Sequence, residues 1–199
     1  TLGTAVDAEL DGQPTQNANG DDSNGATPDD EDGVVFSGPL IPGTTTTITV
    51  TATADAAGTL NAWIDFNGNG VLDDAGEQIA TDISIAAGMS VPLTVNVPVT
   101  ATSGITTYSR FRFSSDTGLA PTGLASDGEV EDYPVQVVEL DYGDLPDDPT
   151  NRPTTLANDG ARHIIDPAAN PIMGVTVDDE NDGQPATNAD GDDSNGDVP

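Results

Sequence analysis

The chain has 199 residues, 35 of them Asp or Glu, against four arginines, no lysine and a net charge of −31. A surface of that sign repels nucleic acid and anionic lipid, leaving divalent cations as its natural counter-ions. Without cysteine there is no disulfide, and no apolar run has the length of a membrane helix, so neither nucleic acid nor membrane insertion is expected.

The chain begins at Thr1 with no signal-peptide pattern and reads as a mature or excised piece. Residues 1–33 are acidic and punctuated by Asp11-Gly12, Asn19-Gly20, Asn24-Gly25 and Asp32-Gly33. Within them Asp7, Glu9 and Asp11 alternate, and Asn19, Asp21 and Asp22 follow ahead of Gly25. Alternating oxygens closed by a glycine suit a cation loop. The competing reading is a solvated linker, because such a composition lies close to that of unfolded chains.

Residues 34–138 alternate like strands, with candidates at 34–36, 45–54, 60–66, 78–85, 90–99, 105–115 and 130–138. In 45–54, Ile48 and Val50 share one face and Thr47, Thr49 and Thr51 the other. Pro92 and Pro98 suggest that 90–99 lies at a sheet edge. Phe111 and Phe113 face opposite to Arg110 and Arg112. No helical period of useful length is visible. Short alternating strands between Gly and Pro turns predict an all-β fold, an antiparallel β-sandwich of immunoglobulin-like or jelly-roll-like type. The acidic, loop-rich segment is expected to be its calcium-binding junction.

Between the third and fourth strands stands Asp65-Phe66-Asn67-Gly68-Asn69-Gly70-Val71-Leu72-Asp73, closed by Glu77. Oxygen side chains at every second position, a glycine for the turn and a residue that can offer its carbonyl make a pattern that wraps a hard cation. Asp65, Asn67, Asn69, Asp73 and Glu77 are the candidate calcium ligands, with the Val71 carbonyl. The match to an EF-hand loop is imperfect: position twelve is Gly76, the glutamate comes one residue late, and a strand precedes the loop. A polar β-turn needing no metal also accounts for residues 67–70. It leaves Asp65, Asp73 and Glu77 without a reason to be neighbours.

Further on, Glu129 and Glu131 fall on one side of a strand with Asp132 opposite. Like charges so placed need a cation or an arginine between them, and both the arginines of 105–115 and calcium remain open as that partner. Residues 139–172, with Pro146, Pro149, Pro153 and Pro167, read as a Pro/Asp-rich connector. The single His163 has neither Cys nor Lys to work with, so a packed or capping role beside Arg162 is expected rather than catalysis. Residues 173–199 then restart the chain. Residues 173–196 align with 2–25 without a gap, with 16 identities at an offset of 171. The copy repeats the candidate ligands as Asp178, Glu180, Asp182, Asp190 and Asp192. One whole domain and the opening of the next are present, as in a tandem array.

Acids are sparse where strands are dense. Residues 34–115 hold six of the 35, so the acidity marks loops and junctions rather than a uniformly acidified surface. The segment Gly128-Glu129-Val130-Glu131-Asp132 resembles the name-giving motif of the GEVED domain of large bacterial surface proteins. Trp63-Ile64-Asp65-Phe66-Asn67, Arg110-Phe111-Arg112-Phe113-Ser114 and Asp141-Tyr142-Gly143-Asp144-Leu145-Pro146-Asp147 fit the same family. So do Gly160-Ala161-Arg162-His163 and the twice-seen Val-Asp-x-Glu-x-Asp-Gly-Gln-Pro. The resemblance implies a secreted or cell-surface, adhesin-like protein built of β-sandwich modules, without enzymatic activity.

The expected function is therefore a non-enzymatic, extracellular structural repeat, rigidified by several calcium ions. Its partners would be neighbouring repeats of the same chain or head-to-tail copies in a fibre. The alternative is a carbohydrate-binding or adhesive module whose 65–77 loop grips a glycan or a surface. If the acidic segment leans on both neighbouring units the array is a stiff rod, and residues 178–197 should order against 34–138 of their own chain.

Overall fold

The computed structural model describes residues 1–4, 12–20, 31–53, 56–166, 168 and 171–191. Asp7, Glu9, Asp11, Asp21, Asp22 and Asp192 lie outside the described residues. The fold is an antiparallel β-sandwich with almost no helix. One sheet joins β1 (Val34–Phe36), β2 (Thr45–Thr51) and β5 (Ser90–Asn96) in the order β1-β2-β5. The other joins β3 (Gly58–Ile64), β4 (Gln78–Ile85), β6 (Thr106–Ser114) and β7 (Glu129–Gln136) in the order β4-β3-β6-β7.

The alternation seen in the sequence decides which face is inside. Ile48, Val50, Leu93 and Val95 from the first sheet meet Leu60, Ala62, Ile64, Phe111 and Phe113 from the second in one buried core. Phe36, Phe111 and Tyr133 close one side of it edge-to-face, with centroids 5.9–6.2 Å apart. All seven expected strands are present. Two keep the expected bounds, 34–36 and 78–85, and the others shift by one to three residues at their ends. Pro92 and Pro134 both lie on edge strands, β5 and β7, where a missing amide costs no ladder bond.

The expected connector is structured. Its first residues form β8 (Glu139–Tyr142), which pairs antiparallel with β9 (Arg162–Ile165). Val138, Leu140 and Tyr142 make a second small core with Ile41 and Leu156. Four-residue strands joined through residues 143–161, with three prolines between, carry too little alternation to stand out in the sequence.

The restarting segment leans on this small sheet, and here the expectation needs correction. The Glu180 amide donates to the Leu140 carbonyl (2.8 Å), the Tyr142 amide to the Glu180 carboxylate (2.8 Å) and the Ala186 amide to the Asp144 carbonyl (2.9 Å). The sandwich is reached through a hydrogen bond from Ser103 to Asp179 (3.2 Å). Residues 178–191 thus order mainly against 140–156 instead of 34–138. The Leu140 carbonyl and Tyr142 amide of β8 supply the backbone groups that Glu180 bonds.

Candidate metal centre

Asp65 leaves the end of β3 and turns inward, 3% exposed. Its Oδ1 accepts the amides of Gly68 (2.7 Å) and Asn69 (3.2 Å), and its Oδ2 accepts the amide of Gly70 (2.8 Å). Gly70 sits at φ +82°, a conformation that lets its amide point back at that carboxylate. Asn67 and Asn69 make Asx turns: the Asn69 amide donates to Asn67 Oδ1 (3.0 Å) and the Val71 amide to Asn69 Oδ1 (2.8 Å). Their amide groups both donate to Asp74 Oδ2, at 3.0 and 2.8 Å. These two bonds, that of Asn69 first, hold the Asp74 carboxyl below its usual range. Asp74 was not among the expected ligands; its position beside Asp73 in an acid-rich loop was the available signal.

Glu77 closes the loop, its amide donating to the Asp74 carbonyl (3.1 Å) and its carbonyl accepting from Ile64 (2.9 Å). Its side chain is 3% exposed, and neither carboxylate oxygen has a hydrogen-bond partner. Burial pushes its pKa up, and the charges of Asp65 and Asp74 push the same way; the nearby Asn67 and Phe66 amides oppose them without closing a bond. An ionised carboxylate left so costs several kcal/mol unless a proton or a cation neutralises it. Asp73 and Val71 are exposed on the outer rim of the loop. Asp65 and Glu77 thus fit as inner ligands of a hard cation, with the side-chain oxygens of Asn67 and Asn69 beside them. Among the described residues no three His, Cys, Asp or Glu side chains converge as a metal cluster, so amide and backbone oxygens would have to complete the set.

The second buried pair is built differently. Glu129 and Glu131 do share the inner face of β7, at 9% and 1% exposure. The arginines are elsewhere. Arg110 pairs bidentately with Asp132 (2.8 and 2.6 Å), and Arg112 donates to the carbonyls of Ala120, Thr122 and Gly123 (2.6, 3.0 and 2.7 Å). Strand alternation puts both on the outer face, where they hold down the loop before β7. An arginine between the two glutamates is therefore ruled out, and backbone takes its place. Glu129 accepts the Leu2 amide, while Glu131 accepts the Gly33 amide (3.1 Å) and the Tyr133 hydroxyl (2.9 Å). Burial above all, with Glu129 adding, pushes Glu131 up to about 8. Burial beside Glu131 raises Tyr133 as well. Nothing in the local sequence spacing signalled that residues 2 and 33 supply these donors.

Both copies of the acidic segment are shaped, where described. Residues 12–20 and 183–191 make the same turn, with Ala18 and Ala189 at φ +50° and +53°. A Cβ on Gly20 would stand 1.8 Å from the Gln13 carbonyl oxygen, and one on Gly191 1.7 Å from that of Gln184. A solvated linker would not repeat such a close approach. Asn19 is exposed and exchanges hydrogen bonds with Thr15 (3.0 Å). In the second copy Glu180 is buried, and Asp182 accepts the Leu156 amide (2.5 Å). Asp178 lies near Asp141, and Asp190 is exposed. Asp144 and Asp147 were not among the expected residues, yet they organise this region. Asp144 accepts the Gly191 amide (3.1 Å) and Asp147 the Thr154 amide (2.7 Å).

Two other candidates resolve simply. His163 is exposed, across the small sheet from Asp141, rather than packed. Trp63 is 2% exposed, under the outer face of the sheet, and offers no stacking surface to a sugar.

No helix among the described residues is long and apolar enough to cross a membrane. The GEVED domain profile matches residues 59–136, from the second residue of β3 to the end of β7. No curated protein and no solved structure matches the chain.

Proposed function

Because residues 59–136 of this chain are a GEVED domain, we propose that it serves as a non-enzymatic structural repeat of an extracellular surface protein or filament, stiffened by calcium. The observation that carries this reading is Glu77, a buried carboxylate with no hydrogen-bond partner on either oxygen, placed beside buried Asp65. Calcium at that point would neutralise both charges and bind the start of the loop to its end. Asp65 and Glu77, with the side-chain oxygens of Asn67 and Asn69, are the ligands in this reading; of the expected set, Asp73 and the Val71 carbonyl stand on the exposed rim and would join only if the loop closed around the ion. The work of the repeat is mechanical: spacing, rigidity and assembly. The acidic segments at 1–33 and 173–199 act at the junctions, where further calcium ions would restrain carboxylates that otherwise repel one another.

The test is thermal unfolding in calcium and in excess chelator at fixed ionic strength. At about 100 times Kd each site contributes roughly 2.7 kcal/mol, which raises Tm by roughly 5–10 °C in a chain of this size. The shift should fade in acid as the ligands take up protons. Coincident melts with and without calcium would reject the proposal.

A further inference from the structure

The two copies of the repeat start meet opposite fates. In the first, residues 1–3 extend the β1-β2-β5 sheet: the Gly3 amide donates to the Thr51 carbonyl (2.9 Å), the Thr53 amide to the Thr1 carbonyl (2.9 Å), and Leu2 bridges Ala52. Leu2 is 0% exposed within the sandwich core, and its amide donates to the buried Glu129. The matching residues 171 positions later are Ile172, Met173 and Gly174. Met173 is 99% exposed and Val175 91%, with Ile172 at 41%. An apolar run so placed is costly in water unless something covers it.

We infer that residues 172–174 are the edge segment of a following copy's sandwich, with Met173 filling the core site that Leu2 fills here. This rests on the reading of the chain as one repeat of an array. The occupant is set by what is already seen. A sandwich of this kind has a slot beside residues 51–53, shaped for a small extended segment with one unbranched or γ-branched apolar side chain. Leu and Met exchange in cores at little cost. The backbone bonds that hold residues 1–3 are independent of side chain and carry over to 172–174 unchanged.

The domain boundary then falls at about residue 171, ahead of the acidic stretch rather than after it. Residues 172–174 belong to the next sandwich, while 180–191 stay bonded to β8 and to Asp144 of the preceding unit. Few residues separate the two anchors. Each junction is thereby clamped from both sides through main-chain bonds, whether or not metal is bound.

A chain of two copies, made by continuing residue 199 with residues 29–199, tests this. The natural sequence has no cysteine, so an introduced pair can form one disulfide. Thr1→Cys with Thr53→Cys in the single copy is the control. The two hydroxyls are 3.2 Å apart, and paired positions of this type have Cα atoms about 5.5 Å apart, within disulfide range. In the two-copy chain, Ile172→Cys with Thr53→Cys of the second copy should crosslink as completely as the control. Free thiols there, beside a crosslinked control, would overturn the inference. As a second measure, Met173→Asp should lower the melting temperature of the second sandwich as Leu2→Asp lowers that of the first. An unchanged melt would likewise overturn it. Crosslinking in chelator reads docking alone, and the calcium melt reads stiffening alone, so either can fail without the other.

Discussion

Glu77 and Glu131 are two buried glutamates of one sheet region, and they solve the same electrostatic problem in different ways. Both have raised pKa values, mainly from burial. Glu131 has the Gly33 amide and the Tyr133 hydroxyl as partners, whereas Glu77 has none. Burial, with the charge of Glu129 adding, pushes the Glu131 carboxyl up to about 8 against the pull of these two donors, which favour its ionised form. A carboxyl without donors is complete only with a cation or a proton. The two glutamates thus differ in donor supply, which sequence spacing does not show.

The largest effect expected of this contrast is on the pH dependence of stability. Glu131 is raised from 4.5 to about 8 in the folded state, so unfolding releases a proton between those values. Stability contributed by the protonated form is full below about pH 4.5 and lost as pH rises through 8, on the order of a few kcal/mol. Glu131→Gln should flatten that slope, read by denaturant melts at pH 5 and pH 9. A wild-type profile flat across this window would contradict the assignment of Glu131 as a proton-holding core acid. The slope should survive saturating calcium.

Next in size, Glu77→Gln should remove one site's share of the calcium-dependent gain, roughly 2.7 kcal/mol at about 100 times Kd. In chelator the same variant should be more stable than wild type at neutral pH, because a buried charge without partners has been removed. A variant that keeps the full calcium shift would break the contrast between the two glutamates. The smallest effect belongs to Tyr133→Phe. It deletes one donor to Glu131 and should cost about 1–3 kcal/mol. That cost should be the same with calcium and with chelator, since the hydroxyl bonds Glu131 and the Val34 amide rather than the 65–77 loop.

Much of this architecture was legible in the sequence. Strand alternation placed Ile48, Val50, Phe111 and Phe113 in the core, and the prolines marked β5 as an edge. Asx-rich spacing located the 65–77 loop, because side chain and local turn are coupled within a few residues. Long-range pairing was not legible. Alternation set Glu129 and Glu131 on one face but could not say that residues 2 and 33 would bring their amides to it. The same limit hid β8 and β9, whose pairing spans residues 143–161 and whose core is three residues with two neighbours. The internal repeat was visible at once, but the sequence did not tell that Leu2 would be buried and its counterpart Met173 exposed.

The placement of the four arginines has a consequence for proteolysis. Enzymes of the trypsin type draw a cationic side chain into a deep pocket from an extended, accessible segment. There is no lysine to offer. Arg110 and Arg112 are in the middle of β6, their guanidinium groups tied to Asp132 and to four carbonyls. Arg152 is followed by Pro153, whose ring blocks cleavage of the bond between them. Arg162 opens the paired strand β9, and its guanidinium is likewise tied, to Asp159 (3.1 Å) and the Gly160 carbonyl (3.0 Å). A cut there leaves the sandwich intact.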